Sequence, residues 1–267
     1  MTIIQFFLYI IYMNINIKNI IDIAEKTNDI ILEIYKKDFH VDFKVDDSPL
    51  TIADKLASDY ICSNLKKLYP KIPIICEETK NDEYKIRKDY EYVWIVDPLD
   101  GTKEFIKKNG EFTVNIGLVK NNKPILGVVT IPCQKKTYYA ELNKGAYLKE
   151  NNKLTKLNVN KFNVKDKNLR IVCSRSHLNN VTENFLKNFN DPIIVKSGSS
   201  LKFMLIAEGK ADIYPRLAPT MEWDTCASQI IVEESGGEVL IRDKIRLSYN
   251  KEILKNPDFI TYGKIEI

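Results

Sequence analysis

The chain has 267 residues, 44% of them hydrophobic and 28% charged, a composition that fits a globular protein of one or two domains with a substantial core. Its net charge of +4 is small for this length, and its basic residues are mostly lysines spread along the chain, which argues against nucleic-acid polymer binding as the main task. The five cysteines form no C-x-x-C pair, and His40 and His177 are the two histidines, so a disulfide framework and a His-rich zinc site are both disfavoured.

Ile3 to Met13 is strongly apolar but too short to span a bilayer as a helix, and it lacks the basic lead-in and cleavage site of a secretory signal. Met13 offers a second start that would leave residues 1–12 untranslated. The alternative, a segment that packs or touches a membrane surface, stays open. Reduced thiols and the missing signal point to the cytoplasm, with peripheral contact at the inner membrane also left open.

Ile17, Ile20, Ile21, Ala24, Ile31, Ile34 and Tyr35 share one helical face and predict a long first helix. Val41, Phe43 and Val45 alternate as a short strand, broken by Asp46 to Pro49. Thr51 is the N-cap of a second helix carrying Ile52, Leu56, Tyr60, Ile61, Leu65 and Leu68. Asp54, three residues on, reads either as a capping-box carboxylate or as a catalytic one. Ile72 to Cys76 is a brief strand ending in Glu77-Glu78, and Lys80 to Asp89 is an exposed loop or short helix.

The chain is organised around Trp94 to Phe105. Apolar residues lead to Asp97, Pro98 stiffens the following turn, and Gly101 permits a tight bend and a close approach. Asp100 and Thr102 sit where a helix begins. Carboxylates beside its free N–H groups suit a hard cation and a phosphate together. Taken alone, the stretch is also a plain strand and Asp-Gly turn.

Phe112 to Val119 and Ile125 to Ile131 read as a hairpin turning at Asn121-Asn122, extended by Thr137 to Ala140 and Ala146 to Leu148. The Asn/Lys-rich stretch from Lys149 to Lys167 suggests a boundary near 155, with an α+β half at 1–155 and an α/β half at 156–267. In the latter, Leu169 to Cys173, Pro192 to Val195 and Ala211 to Tyr214 are strand-like. Helices are expected at Val181 to Phe189, from Ser197-Gly198-Ser199-Ser200 to Ala207, and from Trp223-Asp224-Thr225 to Val232.

Polar chemistry therefore gathers at four junctions: Glu77-Glu78, Asp97 to Thr102, Ser197 to Ser200, and Asp224. Glu77, Asp97, Asp100 and Asp224 would form an acidic pocket that stays ionised only with cations, and carboxylates without His or Cys select magnesium. Asp224 is also a good N-cap, and a Glu-Glu pair at a strand end is commonly just solvated.

The order Glu77-Glu78, Asp97-Pro98-Leu99-Asp100-Gly101-Thr102, Trp223-Asp224 resembles the inositol-monophosphatase-like superfamily of lithium-sensitive, magnesium-dependent phosphatases. Asp100 to Phe105, Asn109 to Ile116, Ser174 to His177, Gly198 to Phe203 and Ala207 to Gly209 are most similar to its CysQ-type 3′(2′),5′-bisphosphate nucleotidases. Cys226-Ala227-Ser228 departs from the usual Ala-Ala-Gly.

The resemblance implies a layered αβαβα sandwich and two or three Mg2+ ions on Glu77, Asp97, the Leu99 carbonyl, Asp100 and Asp224. It implies that Asp54 and Thr102, with Glu78, act on the attacking water. Gly101, Thr102, Ser174, His177, Gly198 and Lys202 are the implied substrate contacts. For Lys202 the plain alternative is a surface stem with its charge in water, and for His177 a loop-bracing role. The implied reaction is hydrolysis of the 3′-phosphate of adenosine 3′,5′-bisphosphate to AMP, within sulfur metabolism. The partner is thus a small nucleotide, and the oligomeric state stays open. Inositol-phosphate or sugar-phosphate hydrolysis and a catalytically silent nucleotide sensor are the competing readings.

Overall fold

The Asn16 side chain accepts from the Lys18 amide and starts α1 (Ile17–Tyr35), whose buried face carries Ile20, Ile21, Ala24 and Ile31 as the periodicity predicts. The protein is described here from a computed structural model covering residues 15–37, 40–43, 49–175 and 179–266. The N-terminal apolar stretch up to residue 14 and His177 lie outside the described residues. A small antiparallel pair, β1 (Val41–Phe43) and β2 (Pro49–Thr51), leads into α2 (Ile52–Leu68). Thr51 caps α2 in a full capping box with Asp54. Of the apolar residues expected on α2, Ile61 and Leu65 face inward, joined by Ala53 and Ala57, whereas Ile52, Leu56 and Leu68 are exposed. Small alanines let the two helices approach closely, and this outweighs the larger side chains.

A seven-stranded sheet has the order β3 (Ile74–Cys76), β4 (Tyr92–Asp100), β5 (Thr113–Lys120), β6 (Lys123–Ile131), β7 (Lys136–Glu141), β8 (Gly145–Glu150), β9 (Lys153–Lys156). β3 runs parallel to β4, and each later neighbour is antiparallel. The expected hairpin turn has Asn121 and Asn122 at φ 47 and 65, the left-handed pair that a two-residue turn demands. β9 lies in the Asn/Lys-rich stretch, so the first sheet runs through residue 155. α3 (Tyr84–Arg87) joins β3 to β4.

Side chains on β4 alternate. Trp94 and Val96 pack with α1 and α2, while Val93 and Ile95 pack toward α6 (Leu201–Ala207) and α7 (Cys226–Glu234). Gly127 permits the second contact, since a Cβ there would meet the Ala227 carbonyl at 2.3 Å. A second sheet covers the far side of α6 and α7. Its order is β12 (Ile193–Ser197), β11 (Arg170–Ser174), β13 (Ile213–Arg216), β17 (Phe259–Tyr262), β15 (Glu238–Leu240). Small pairs, β10 (Lys161–Phe162) with β18 (Lys264–Ile265) and β14 (Thr220–Met221) with β16 (Lys255–Asn256), complete the strands. Beneath it, Phe185 and Leu186 at the end of α5 (Asn180–Leu186) pack on Ile171 and Ile213. The layers run helix, sheet, helix, sheet, helix, the αβαβα sandwich expected.

Candidate active site

The expected turn after Asp97 is instead a bulge inside β4. Asp97 pairs with Asn115 and Asp100 with Thr113, so Pro98 and Leu99 bow out opposite Val114. Proline is tolerated there because a bulge leaves its position out of the ladder. The bulge aims Asp97 and Asp100 toward the same end of the sheet. Gly101 then takes φ +96, and a Cβ on it would meet Ser199 Oγ at 2.1 Å. Glycine thus brings the loop before α6 against the start of α4 (Thr102–Ile106). Ser199 Oγ donates within this contact to the carbonyls of Asp100 (2.9 Å) and Glu111 (2.7 Å).

Glu77 follows β3, and its amide donates to the Val96 carbonyl at 3.2 Å. Asp224 precedes α7, its Oδ2 accepting from the Met221 amide at 2.7 Å. Thr225, not Asp224, is the residue before the first helical turn, and it makes no side-chain cap bond. Glu77, Asp97 and Asp224 each bring one carboxylate oxygen within 4.8 Å of the others. Glu78 is half-buried beside them and is not one of the three. Asp100 is close by, with its Oδ2 turned to the Ser200 amide at 2.6 Å.

Electrostatics mark the cluster. Asp97 is 1% exposed. Its Oδ1 accepts from the Leu99 amide at 3.1 Å, while its Oδ2 is buried without a partner among the described residues. Burial first, then the charges of Glu77, Asp100 and Asp224, push its pKa well above the ordinary carboxylate range. Asp224 is pushed up to about 7 by burial and Asp100, and Asp100 to about 6, chiefly by burial. The donors are carboxylate oxygens with no His or Cys, and one buried oxygen lacks a proton donor. This set fits a hard divalent cation such as magnesium.

Asp54 of α2 reaches the cluster's edge. Its Oδ2 accepts from the Thr51 amide (2.7 Å) and hydroxyl (2.6 Å), and its Oδ1 accepts from Thr102 Oγ1 at 3.0 Å. The same carboxylate therefore completes the expected capping box and is also the partner of Thr102. Thr102 Oγ1 also lies 3.5 Å from the Leu99 carbonyl.

The facing wall of the cleft includes Ser174, Gly198, Lys202, Tyr214 and Arg216. Gly198 donates its amide to Glu111 Oε2 at 2.8 Å. Lys202 does not lay its charge in water. It is 6% exposed, donates to the Ser199 carbonyl at 2.5 Å, and has its pKa pushed down to about 8, first by burial. Tyr214, Arg216 and Glu111 were not singled out as site residues in the sequence, although Glu111 lies in the Asn109 to Ile116 stretch and Tyr214 ends a strand-like run. The one signal was that Pro215-Arg216 prolongs a strand whose neighbours also end at the site.

This end of two stacked sheets, with its all-oxygen donor set, belongs to a class that sequence comparison identifies. The inositol monophosphatase family pattern matches residues 16–257, and the chain belongs to that family, whose enzymes depend on magnesium. Within it, the chain is 36% identical over 243 residues to the 3′(2′),5′-bisphosphate nucleotidase CysQ of Haemophilus influenzae, covering 90% of each chain. The crystal structure of CysQ from Bacteroides thetaiotaomicron superposes with a TM-score of 0.82 at 42% identity, covering 93% of this chain and 97% of that one. An IMPase/NADP phosphatase complexed with Mg2+ and phosphate shares the fold, with a TM-score of 0.74 at 20% identity over 90% of this chain and 87% of its own.

Proposed function

We propose that the protein is a magnesium-dependent 3′(2′),5′-bisphosphate nucleotidase that converts adenosine 3′,5′-bisphosphate and water to AMP and phosphate. The carrying observation is the cleft itself: Asp100 and Asp224 line it together with Lys202 and Arg216, and Asp97, in the same carboxylate cluster as Asp224, keeps an Oδ2 without a partner among the described residues. The CysQ names of its relatives support the same substrate.

Glu77, Asp97 and Asp224, with Asp100 and the Leu99 carbonyl, would hold the metal, two or three ions in all. Magnesium, when bound, supplies positive charge that offsets the phosphoryl oxygens and acidifies water. Thr102 Oγ1 donates its hydrogen bond to Asp54 Oδ1, so the hydroxyl's lone pairs are left to accept from a water molecule. Burial raises the pKa of Asp54, which makes it the better proton acceptor. Water oxygen then bonds to phosphorus in line with the departing 3′-oxygen, the P–O ester bond breaks, the proton of the attacking water passes toward Thr102 and Asp54, and the departing 3′-oxygen takes its proton from solvent water to leave as the 3′-hydroxyl of AMP. Glu78, next to Glu77 in the chain, would assist. Ser174, Gly101, Gly198, His177 and Lys202 would position the nucleotide.

Phosphate release with magnesium, measured on adenosine 3′,5′-bisphosphate, its sulfated precursor, inositol monophosphate and fructose bisphosphate, tests the reading. The nucleotide is expected to give the highest kcat/KM. Preference for inositol monophosphate would overturn it.

A further inference from the structure

Glu77 and Asp224 meet in one carboxylate cluster, yet neither lies inside a strand or helix. Glu77 begins the irregular segment between β3 and α3, and Asp224 belongs to the one between β14 and α7. Segments of this kind are fixed by side chains that satisfy their backbone groups, rather than by a ladder.

A chain of hydrogen bonds joins the two segments behind the cleft. It starts at Asn81, whose side chain grips the residue before Glu77: Oδ1 accepts from the Cys76 amide at 2.9 Å, and Nδ2 donates to the Cys76 carbonyl at 3.1 Å. Next in sequence, the Asp82 carbonyl accepts from Arg87 Nε at 2.8 Å. Arg87 ends α3 and is 4% exposed. Its Nη1 donates to Asn250 Oδ1 (2.8 Å) and the Lys251 carbonyl (3.1 Å), and its Nη2 to the Glu252 carbonyl (3.2 Å). Asn250 Nδ2 returns a bond to the Arg87 carbonyl at 2.6 Å. The Asn250 and Lys251 amides then donate to the side chain of Glu222, which is fully buried two residues before Asp224. The Glu222 carbonyl accepts from the Thr225 and Cys226 amides at 3.2 and 3.0 Å, so it closes the turn that carries Asp224.

Arg170, Arg175 and Arg246 each meet a carboxylate, whereas the four oxygens that Arg87 reaches are neutral carbonyls. A buried cation on neutral partners is expensive for a plain brace. What the guanidinium offers is a rigid planar fork, which sets the distance between the groups it joins. We infer that Arg87 is a positioning residue: through Asp82 on one side and the Asn250–Glu222 link on the other, it fixes the spacing of Glu77 and Asp224 and so sets how tightly the cluster holds its cation. This rests on the reading of the cluster as a magnesium site.

The experiment measures the melting temperature of the substrate-free protein across a magnesium series. A cation that binds the folded state raises that temperature, and the concentration at which the rise sets in reads the affinity. In Arg87→Ala this concentration should be roughly ten- to hundredfold higher, the usual effect of losing a group that orients metal ligands. Arg87→Lys keeps the charge and part of the reach, so it should recover part of the loss. Asn250→Gly removes the side chain that joins Arg87 to the Glu222 loop, and glycine suits the φ of +59 there, so this variant decides the matter where Arg87→Ala does not fold. Asp212→Asn, outside the chain of bonds, is the control and should melt lower with the wild-type magnesium dependence. As a second readout, kcat at saturating magnesium should return toward the wild-type value in Arg87→Lys and Asn250→Gly. Variants at 87 and 250 that melt lower but keep the wild-type magnesium dependence overturn the inference, leaving Arg87 a brace. A wild type that magnesium does not stabilise overturns the metal reading and this inference together. One that magnesium stabilises but that leaves the bisphosphate intact overturns the nucleotidase reading alone.

Discussion

Asp97, at the bulge in β4, and Asp212, just before β13, are both almost fully enclosed, at 1% and 2% exposure, yet they are treated in opposite ways. Asp212 accepts from Asn160 Nδ2 (2.7 Å) and Arg170 Nη2 (2.6 Å) through one oxygen, and from the Arg170 amide (2.7 Å) and Nε (3.1 Å) through the other. Burial pushes its pKa up, but these donors outweigh it and hold the carboxyl below its ordinary value. Asp97 has one amide donor and three acidic neighbours, and its pKa rises. Glu222, two residues from Asp224, is also well supplied with donors, taking the Asn250 and Lys251 amides and the Lys251 ammonium, although burial still lifts its pKa above the ordinary value. The fold can satisfy a buried carboxylate; at the cleft it leaves one short of donors, and that deficit is what a cation would fill.

The hardest test of this contrast is Asp97→Asn. Activity should drop on the order of a thousandfold or more, since several kcal/mol of charge stabilisation go with the metal. In a chelator the same variant should melt higher than wild type, by roughly 2–4 °C for each kcal/mol of repulsion relieved. Magnesium should raise the melting temperature of wild type and have little effect on the variant. Wild-type turnover by Asp97→Asn at physiological magnesium would show Asp97 to be a turn residue.

Lys202→Ala asks which pattern the buried lysine follows. If it serves the nucleotide, kcat/KM for the bisphosphate falls roughly ten- to hundredfold with the melting temperature kept. Should it instead brace Asp100 as Arg170 braces Asp212, stability drops and all substrates suffer alike.

Asp212→Asn should do the reverse of Asp97→Asn. Losing a carboxylate held by charged donors costs about 1.5–3 kcal/mol, seen as a lower urea midpoint, with activity per folded molecule retained. An unchanged midpoint would break the contrast.

A smaller, pH-dependent effect completes it. The folded-state pKa of Asp212 is depressed, so its contribution is present above the unfolded value of about 3.9 and is lost as pH falls through the folded one. The stability gap between wild type and Asp212→Asn should therefore be full at neutral pH and shrink below about pH 4. A gap that widens in acid would reverse the assigned sign.

Much of the molecule is determined by local sequence. Asn121-Asn122 specifies its turn because both residues tolerate positive φ, and the Thr51–Asp54 cap forms from residues three apart. Glu77, Asp97, Asp100 and Asp224 were legible as candidates because carboxylates at strand ends stand out against apolar runs. What local pattern could not carry was every relation between distant segments. The bulge that tucks Pro98 into β4 exists because Thr113 and Asn115 pair across it, and the buried face of α2 follows small alanines that let α1 come close. Lys202 is sunk in the cleft wall because α6 lies between the two sheets, a position its own helical spacing does not reveal. Arg216 stands out for a deficit, a buried Nε without an acceptor among the described residues, and a missing partner can be recognised only after the other residues have their places. Sequence determined which groups could do chemistry, since that is a property of side chains; tertiary structure decided which of them were left unpaired, since pairing depends on distances across the whole fold.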